Sequence, residues 1–503
     1  MGNLAKLKVA VGQPELLQGS PRRNEAVQDR MMALAVEAGA DLLVLPGSLS
    51  DETAIHLIAL NDTRIDVAGT VVIVEAAGES YQIGLGSQPQ GCDFSVFVDV
   101  QPWALGQHQR PSWPGIVLRP VGMRNVDKKV FAYDGGTAVF SNEGHLLARL
   151  RDDFEEDFAL VTLDRGGPVA EPCKDKVLAA LVKTIRRFDS QVLGWEPRWV
   201  VGLSGGLDSS IAAALLVLAL GPQRVVGCHL PSRYSSDATM ANARYIAEAL
   251  GIDLKSGSIE DLVQATGRAV EQLGYPASGL QGLVAENMQA RVRGQLLCTC
   301  AALEDGVVVN NGNRVEAAFG YATLYGDAVG ALAPIADLTK TQLFDLARTI
   351  NGEPGCEIIP ENLLPRETPD GYEWATMPSA ELAEGQRDPM KWFYHDWLLG
   401  QLLDGQGIDA GACAVLGHYL DGSLLAGPLG KWIRFYGLDT PREFLADLEW
   451  VVQSIRGAAF KRIQSPPYIA LASMASILSP PEEQGPCEPS ERFMELRARV
   501  LKR

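Results

Sequence analysis

The sequence predicts an α/β protein with a strand-rich first domain and a doubly wound parallel sheet in the second. Three observations carry this. Residues 1–168 supply short strands joined by hairpin turns. From about residue 175, strands alternate with apolar helices. Between them, Gly166-Gly167-Pro168 and Glu171-Pro172 break both patterns. The expected boundaries are a domain over 1–168, a linker over 169–174, a second domain over 175–478, and a tail with a short helix over 479–503.

In the first domain, LKVAVGQ alternates like a strand, Arg22 to Ala40 has helical apolar spacing, and DLLVLPG is a buried strand. GTVVIVEAAGESYQIGL reads as strand–turn–strand, as does TAVFSNEGHLLARL with Asn142-Glu143-Gly144 at its turn. ALVTLD is a last strand. In the second domain, WVVGL is a strand, followed by a glycine loop and the helix SSIAAALLVLALG. RVVGCHL is the next strand. A helix follows, with Ser236 or Asp237 as N-cap and Gly251 at its end. GVVVNN is a further strand and DLTKTQLFDLARTI a capped helix. Residues 353–378 read as a long patternless loop, and ERFMELRARVLKR as a terminal helix.

The 503 residues are 47% hydrophobic, which excludes disorder for the bulk of the chain. The balance of 62 acidic to 44 basic residues gives a formal charge of −18. A general basic field for nucleic acid is therefore excluded, and an anionic ligand must be gripped locally by a few aimed cations and backbone amides. No uncharged run is long enough for a membrane span and the N-terminus lacks a signal-peptide core, so a cytoplasmic protein without a membrane partner is expected. The cysteines, at 92, 173, 228, 298, 300, 356, 413 and 487, form no CxxC pair, which argues against zinc.

The strongest signal is Ser204-Gly205-Gly206-Leu207-Asp208-Ser209-Ser210, between a buried strand and a helix. The glycines permit positive φ and close backbone approach, so successive N–H groups can converge on one anion. The helix adds its positive end. Ser204, Ser209 and Ser210 add hydroxyl donors, and Asp208 suits a phosphate-bound Mg²⁺. This segment resembles the ATP-pyrophosphatase loop, whose members cleave ATP between the α and β phosphates.

Further blocks follow in order: PSRYSS from Pro231, ENMQARVR from Glu286, NGNRVE from Asn311, GYATLYGD from Gly320, DLTK from Asp337, PSAEL from Pro378, and KRIQ from Lys461. Together they resemble NAD⁺ synthetase over roughly residues 175–470, which implies an adenine-nucleotide α-hydrolase-like synthetase fold. The resemblance implies ATP as a substrate and Mg²⁺ held by Asp208 and Glu316. It places Ser204, Gly205, Gly206, Asp208, Ser209, Ser210, Arg233, Asn311 and Lys340 around ATP. Asn287, Gln289, Arg291, Arg293, Arg314, Glu316 and Lys461 would serve deamido-NAD⁺. Lys340 and Ser379 would stabilise the departing pyrophosphate, with Asp327 helping to position the nicotinate half and ammonia. The arginine forks suit phosphate oxygens. Two stretches depart from the family: NGNRVE stands for the usual TGNKSE, and MKWFYHDWLL follows PSAEL in place of LPPYDxLD. In the latter, His395, between Tyr394 and Trp397, reads as a packed helix histidine.

Residues 5–165 resemble the nitrilase-fold glutaminase domain, implying a truncated nitrilase-like α/β sandwich. An active member needs a Glu base after the LxxP strand, a Lys, and a Cys nucleophile. Here Gly47 follows Pro46, and the strand Tyr81-Gln82-Ile83-Gly84-Leu85 runs into Gly86-Ser87-Gln88-Pro89-Gln90 without a Cys. The expectation is an ammonia-using NAD⁺ synthetase with a degenerate glutaminase-like domain, a homodimer or higher oligomer, with a separate glutaminase as a further partner. The alternatives are a non-catalytic relative and an enzyme that adenylates or amidates another carboxylate.

Overall fold

The structure, a computed structural model, describes residues 6–76, 78–86, 92–105, 115–141, 143–352, 357–368, 371–376, 378–379, 381–385, 388–403, 407–471 and 488–502. Of the sequence readings above, Asn142, the segment from Ser87 to Gln90, Cys356 and Cys487 lie outside these residues. The chain forms two compact units, Met1–Val192 and Leu193–Arg503.

The first unit is built on strands whose alternation was legible. Lys8–Gln13 lies between the antiparallel Asp157–Thr162 and the parallel Leu42–Pro46, with Ile55–Ala59 antiparallel at the edge. Ala10, Leu43 and Leu45 pack against Met31 and Ala35 of helix Pro21–Glu37. On the opposite face, Val9, Val11, Leu42 and Val44 meet Val72, Tyr81, Ile83 and Val96 of a seven-stranded sheet. That sheet turns its other face outward: in Glu79–Leu85, Tyr81 and Ile83 are buried while Ser80 and Gln82 are exposed or nearly so. The result is a helix–sheet–sheet stack with one helical layer over these two sheets among the described residues.

The expected linker is not free chain. Pro168 accepts from Arg149 N at 3.0 Å, and Ala170 N donates to the Arg149 carbonyl at 2.9 Å. Cys173 N donates to Asp152. Helix Lys176–Phe188, assigned by sequence to the second domain, belongs to the first. Lys176 bridges Asp134 and Asp152 at 2.6 and 2.7 Å, and the buried Arg187 reaches Glu15 at 2.9 Å and the Phe154 carbonyl at 2.6 Å. An amphipathic pattern says that a helix has a buried face, not which sheet covers it.

The second unit is centred on four parallel strands in the order Asp253–Ser256, Val225–His229, Arg198–Gly202, Gly306–Val308. Helix Leu207–Leu220 is apolar on nearly every face because most of it is covered, with Ile211 to Leu216 fully buried and Leu218 exposed. Helix Leu283–Leu303 covers one sheet face through Leu297, Cys300 and Ala301. The 353–378 stretch, read as patternless, contains a 3₁₀ turn at Glu361–Leu363 and a hairpin of Arg366–Thr368 with Gly371–Glu373. A helical layer absent from the pattern reading follows. Tyr394–Leu403, Ile408–Asp421, Pro441–Gly457 and the expected terminal helix Glu491–Leu501 share a core of Leu399, Leu416, Phe444, Leu448 and Leu496. No helix among the described residues is long and apolar enough to cross a membrane.

Candidate active site

In the second unit the chain runs through the sheet in the order 3-2-1-4. The topological switch therefore falls between Arg198–Gly202 and Gly306–Val308. Loops leaving the carboxyl ends of two such strands diverge and open a crevice, the usual ligand position in an open α/β sheet. The two loops here are the Ser204–Ser210 segment and the Asn310–Glu316 segment.

Gly205 has φ +83°, and a Cβ there would lie 1.9 Å from the Thr239 carbonyl oxygen. Only glycine fits, and its backbone packs against helix Asp237–Leu250. The next helix begins at Leu207, so Asp208 stands in its first turn. Ser204 is exposed, and its Oγ is 3.1 Å from Ser209 Oγ. Ser210 was expected to face a phosphate. It is instead fully buried and donates to the Gly206 carbonyl at 2.6 Å, holding the loop's shape.

Asp208 is the centre of the charged network. Lys340 Nζ donates to both its oxygens, at 2.7 and 2.9 Å, and Asn313 Nδ2 donates to one at 3.0 Å. Lys340 opens helix Lys340–Asn351, is 4% exposed, and lies 5.0 Å from the Trp392 ring centroid. Burial works against its charge, but the Asp208 and Glu316 carboxylates outweigh burial and hold its pKa above the ordinary lysine value. Glu316 is pushed up to about 8, first by burial and then by the Asp208 carboxylate.

Asn313 was not singled out by sequence. It caps helix Arg314–Phe319, accepting from Val315 N and Glu316 N while Glu316 Oε2 accepts from Asn313 N at 3.0 Å. Its remaining donors are thus free to turn toward Asp208. The signal was present as an Asn-x-x-Glu capping box at a strand's end. Asn311 donates to the Gly202 carbonyl at 3.0 Å, tying its loop to the end of strand Arg198–Gly202.

A second set of expected residues gathers around Gly320–Asp327. A Cβ on Gly294 would sit 2.6 Å from the Gly326 carbonyl oxygen, so helix and loop touch backbone to backbone. Asn287 Oδ1 accepts from Thr323 Oγ1 at 2.6 Å, and Asp327 Oδ1 from Thr323 N at 2.6 Å. Arg291 reaches the Leu324 carbonyl at 3.3 Å. Lys461 donates to the Gly320 and Ala322 carbonyls at 2.7 and 2.8 Å. Gln289 donates to the Leu382 carbonyl at 2.9 Å, and Arg293 to the Leu230 carbonyl at 3.0 Å. Ser379 Oγ accepts from Glu381 N at 3.2 Å. Glu381, also missed by sequence, accepts from Thr239 Oγ1 at 2.9 Å.

Two arginines are not gathered. Arg314 turns into the protein, 5% exposed, with Nε 3.8 Å from the buried Asp337. Its guanidinium stands beside another buried charge. Arg233 is exposed and paired with Glu260.

A divalent cation needs oxygen donors that converge. Among the described residues no group of three or more His, Cys, Asp or Glu side chains converges. Two carboxylates, Asp208 and Glu316, do approach closely enough for one to raise the other's pKa. One or two protein carboxylates completed by substrate phosphates is the common way of holding Mg²⁺. The site fits it.

Residues 183–404 match the family model described as NAD synthase. A glutamine-dependent NAD(+) synthetase of Synechocystis sp. is 34% identical over 319 residues, covering 59% of this chain and 53% of that protein. An NH(3)-dependent NAD(+) synthetase of Methanococcoides burtonii is 34% identical over 189 residues, covering 38% of this chain and 64% of that protein. The chain thus spans about half the length of the Synechocystis relative. Among solved structures, a glutamine-dependent NAD(+) synthetase from Cytophaga hutchinsonii matches with TM-score 0.68 at 14% identity, covering 98% of this chain and 99% of that one. Another, from Acinetobacter baumannii in complex with ADP, matches with TM-score 0.60 at 19% identity, covering 94% and 98%. These likenesses show the fold: an α/β chain of two units.

Proposed function

We propose that this protein is an ATP-dependent NAD⁺ synthetase. The observation that carries the reading is the Asp208–Lys340–Asn313–Glu316 network at the sheet's switch point, inside the segment that matches the NAD synthase model. In this reading the nicotinate carboxylate of deamido-NAD⁺ attacks the α phosphate of ATP, pyrophosphate leaves, and ammonia displaces AMP. The loop amides around Gly205 and Gly206 bind the phosphates. Lys340 supplies a fixed cation where charge develops on the departing pyrophosphate, an effect that is strong in a site with little water. Asp208 and Glu316 would hold Mg²⁺, which would neutralise phosphate charge. Asn287, Gln289, Asp327 and Lys461 line the segment that would position the nicotinate half. Ser379 is placed by Glu381 beside the start of helix Asp237–Leu250.

The nitrogen donor in this reading is ammonia, with the first unit a degenerate glutaminase-like domain. The relatives named glutamine-dependent carry that name for their own chains. In this chain the position after Pro46 is Gly47, and a Cβ there would lie 2.5 Å from His56 Nε2. A general base at 47 has no room unless His56 moves. The test is incubation with ATP, Mg²⁺, deamido-NAD⁺ and ammonium, following AMP and NAD⁺ together. Equal yields are expected. AMP without NAD⁺ points to another acceptor, and neither product points to a binding protein.

The reading includes a homodimer. Leu273, Tyr275, Leu283 and Val284 are 76%, 65%, 70% and 52% exposed on consecutive turns leading into helix Leu283–Leu303. Four large apolar side chains left exposed within twelve residues of chain give an interface something to cover. Light scattering at micromolar concentration should give twice the chain mass; a monomer removes this part of the proposal.

A further inference from the structure

The segment Met390–Asp396 belongs to the stretch where the sequence departs from its family, and it wraps the start of the helix that carries Lys340. We propose that Asp396 is a positioning residue for Lys340, acting through Thr341. The inference rests on the reading of Lys340 given above.

The first turn of a helix leaves backbone N–H groups without partners. At Lys340–Asn351 the capping box joins Thr339 and Gln342, each side chain accepting from the other's backbone. That box does not reach Thr341. Asp396 Oδ2 does, accepting from Thr341 N at 2.8 Å and from the Thr341 hydroxyl. A carboxylate at a helix N-terminus is electrostatically favoured, whereas a lysine there is not. Lys340, the first residue of the helix, therefore owes its place to a neighbouring anion. The Trp392 ring, 2% exposed and 5.0 Å from Nζ, closes the other side and leaves the ammonium directed at Asp208.

Asp396 is itself held. It stands in the first turn of Tyr394–Leu403 beside His395, which is fully buried. Lys391 N donates to His395 Nδ1 at 3.0 Å, so that nitrogen accepts and Nε2–H donates to Asp447 Oδ2 at 3.1 Å. Asp447 also takes the Lys391 ammonium. A path of direct contacts thus runs from helix Pro441–Gly457 through His395 and Asp396 to Thr341, Lys340 and Asp208. Asp396 touches no loop residue of Ser204–Ser210 in this path. Its part is to fix the turn from which Lys340 projects, and small misplacements of such a group cost rate.

The experiment compares D396A, D396N and K340A with the parent chain. Lys340 acylation by an N-hydroxysuccinimide acetate is followed by mass spectrometry, beside kcat, KM and thermal midpoint. In D396A, Lys340 should acylate about tenfold faster and kcat should fall roughly tenfold or more, with KM for deamido-NAD⁺ within about twofold. In D396N, both should return most of the way, because the amide oxygen still accepts from Thr341 N. Unchanged acylation and kcat in folded D396A would overturn the proposal. So would equal losses in D396A and D396N that track the thermal midpoint. If the parent chain makes no NAD⁺, the functional reading falls, and the acylation rates alone decide whether Asp396 positions Lys340.

Discussion

Gly205 and Gly47 occupy the same kind of place, just beyond the carboxyl end of a strand in a parallel pair, and end in opposite chemistry. At Gly205 the missing side chain lets the loop's backbone lie against helix Asp237–Leu250, and Asp208, Lys340, Asn313 and Glu316 converge three residues on. At Gly47 the missing side chain makes room for the His56 ring, which is 3.1 Å from Gln28 Nε2. A glycine at a strand end permits a site. Charged groups delivered by other elements make one.

The sharpest way to break this contrast is to remove one member of the Asp208–Lys340 pair. D208A and K340A should each lower NAD⁺ formation by roughly 10²- to 10³-fold, the scale of losing one aimed electrostatic group. D208A should also lower stability, by about 3 kcal/mol, because it takes from the buried Lys340 the carboxylate it is hydrogen-bonded to and leaves only Glu316 nearby. Steady-state rates and urea midpoints check both. A near-normal rate in either variant removes the network from the mechanism.

The nitrogen donor tests the other side of the contrast. Ammonium should support synthesis and glutamine should not, with glutamate release at background. Glutamate formed in step with NAD⁺, with contaminating glutaminase excluded, would mean that the first unit has a nucleophile and base outside the Gly47 neighbourhood.

Alanine at the two glycines gives a structural measure of the same difference. G205A meets a backbone oxygen at 1.9 Å and a positive φ, and should cost about 3 kcal/mol or more. G47A meets only the end of a side chain, so His56 can turn aside and the cost should stay near ~1 kcal/mol or below. Comparable midpoint shifts would mean that the Gly47 turn is as constrained as the Ser204–Ser210 loop.

How much of this was legible in the sequence follows from the range over which each residue acts. The Ser204–Ser210 loop was readable because glycine, serine and helix start act within seven residues. The strands and helices were readable as alternation, since period and turn residues are local, whereas the order of strands in the sheet is not local and came from the fold. Asn313 was passed over because its cap is local but its value lies in reaching Asp208, 105 residues away. Arg314 shows the same limit: its neighbour Asp337 comes beside it only after folding. Helix Lys176–Phe188 groups with the first unit because Arg187 finds Glu15 across 172 residues, a pairing that no local pattern carries. In Ile408–Asp421, alanine and glycine blur the apolar stripe that would have marked the helix.

The smallest predicted effect concerns pH, and it centres on the buried His395 of the second unit. His395 is fully buried against Phe319 and Trp450, and burial pulls its pKa below the ordinary histidine value even though Asp447 works the other way. The folded state therefore binds fewer protons at this site than the unfolded chain once pH falls below about 6.5. Stability contributed here is fully present above that pH and declines as pH falls toward the lowered folded value, by at most ~1.4 kcal/mol per pH unit for one proton. Asp447, whose pKa is lowered because its bonds to His395 and Lys391 outweigh its burial, adds a loss only at more acid pH. H395Q keeps a neutral polar group that does not titrate. Urea midpoints at pH 7.5 and 5.5 should fall less in H395Q than in the parent chain, while the two respond alike between pH 7.5 and 8.5. An identical decline in both below pH 6.5 would mean that His395 accepts its proton without loss, and that the acid sensitivity of the second unit lies elsewhere.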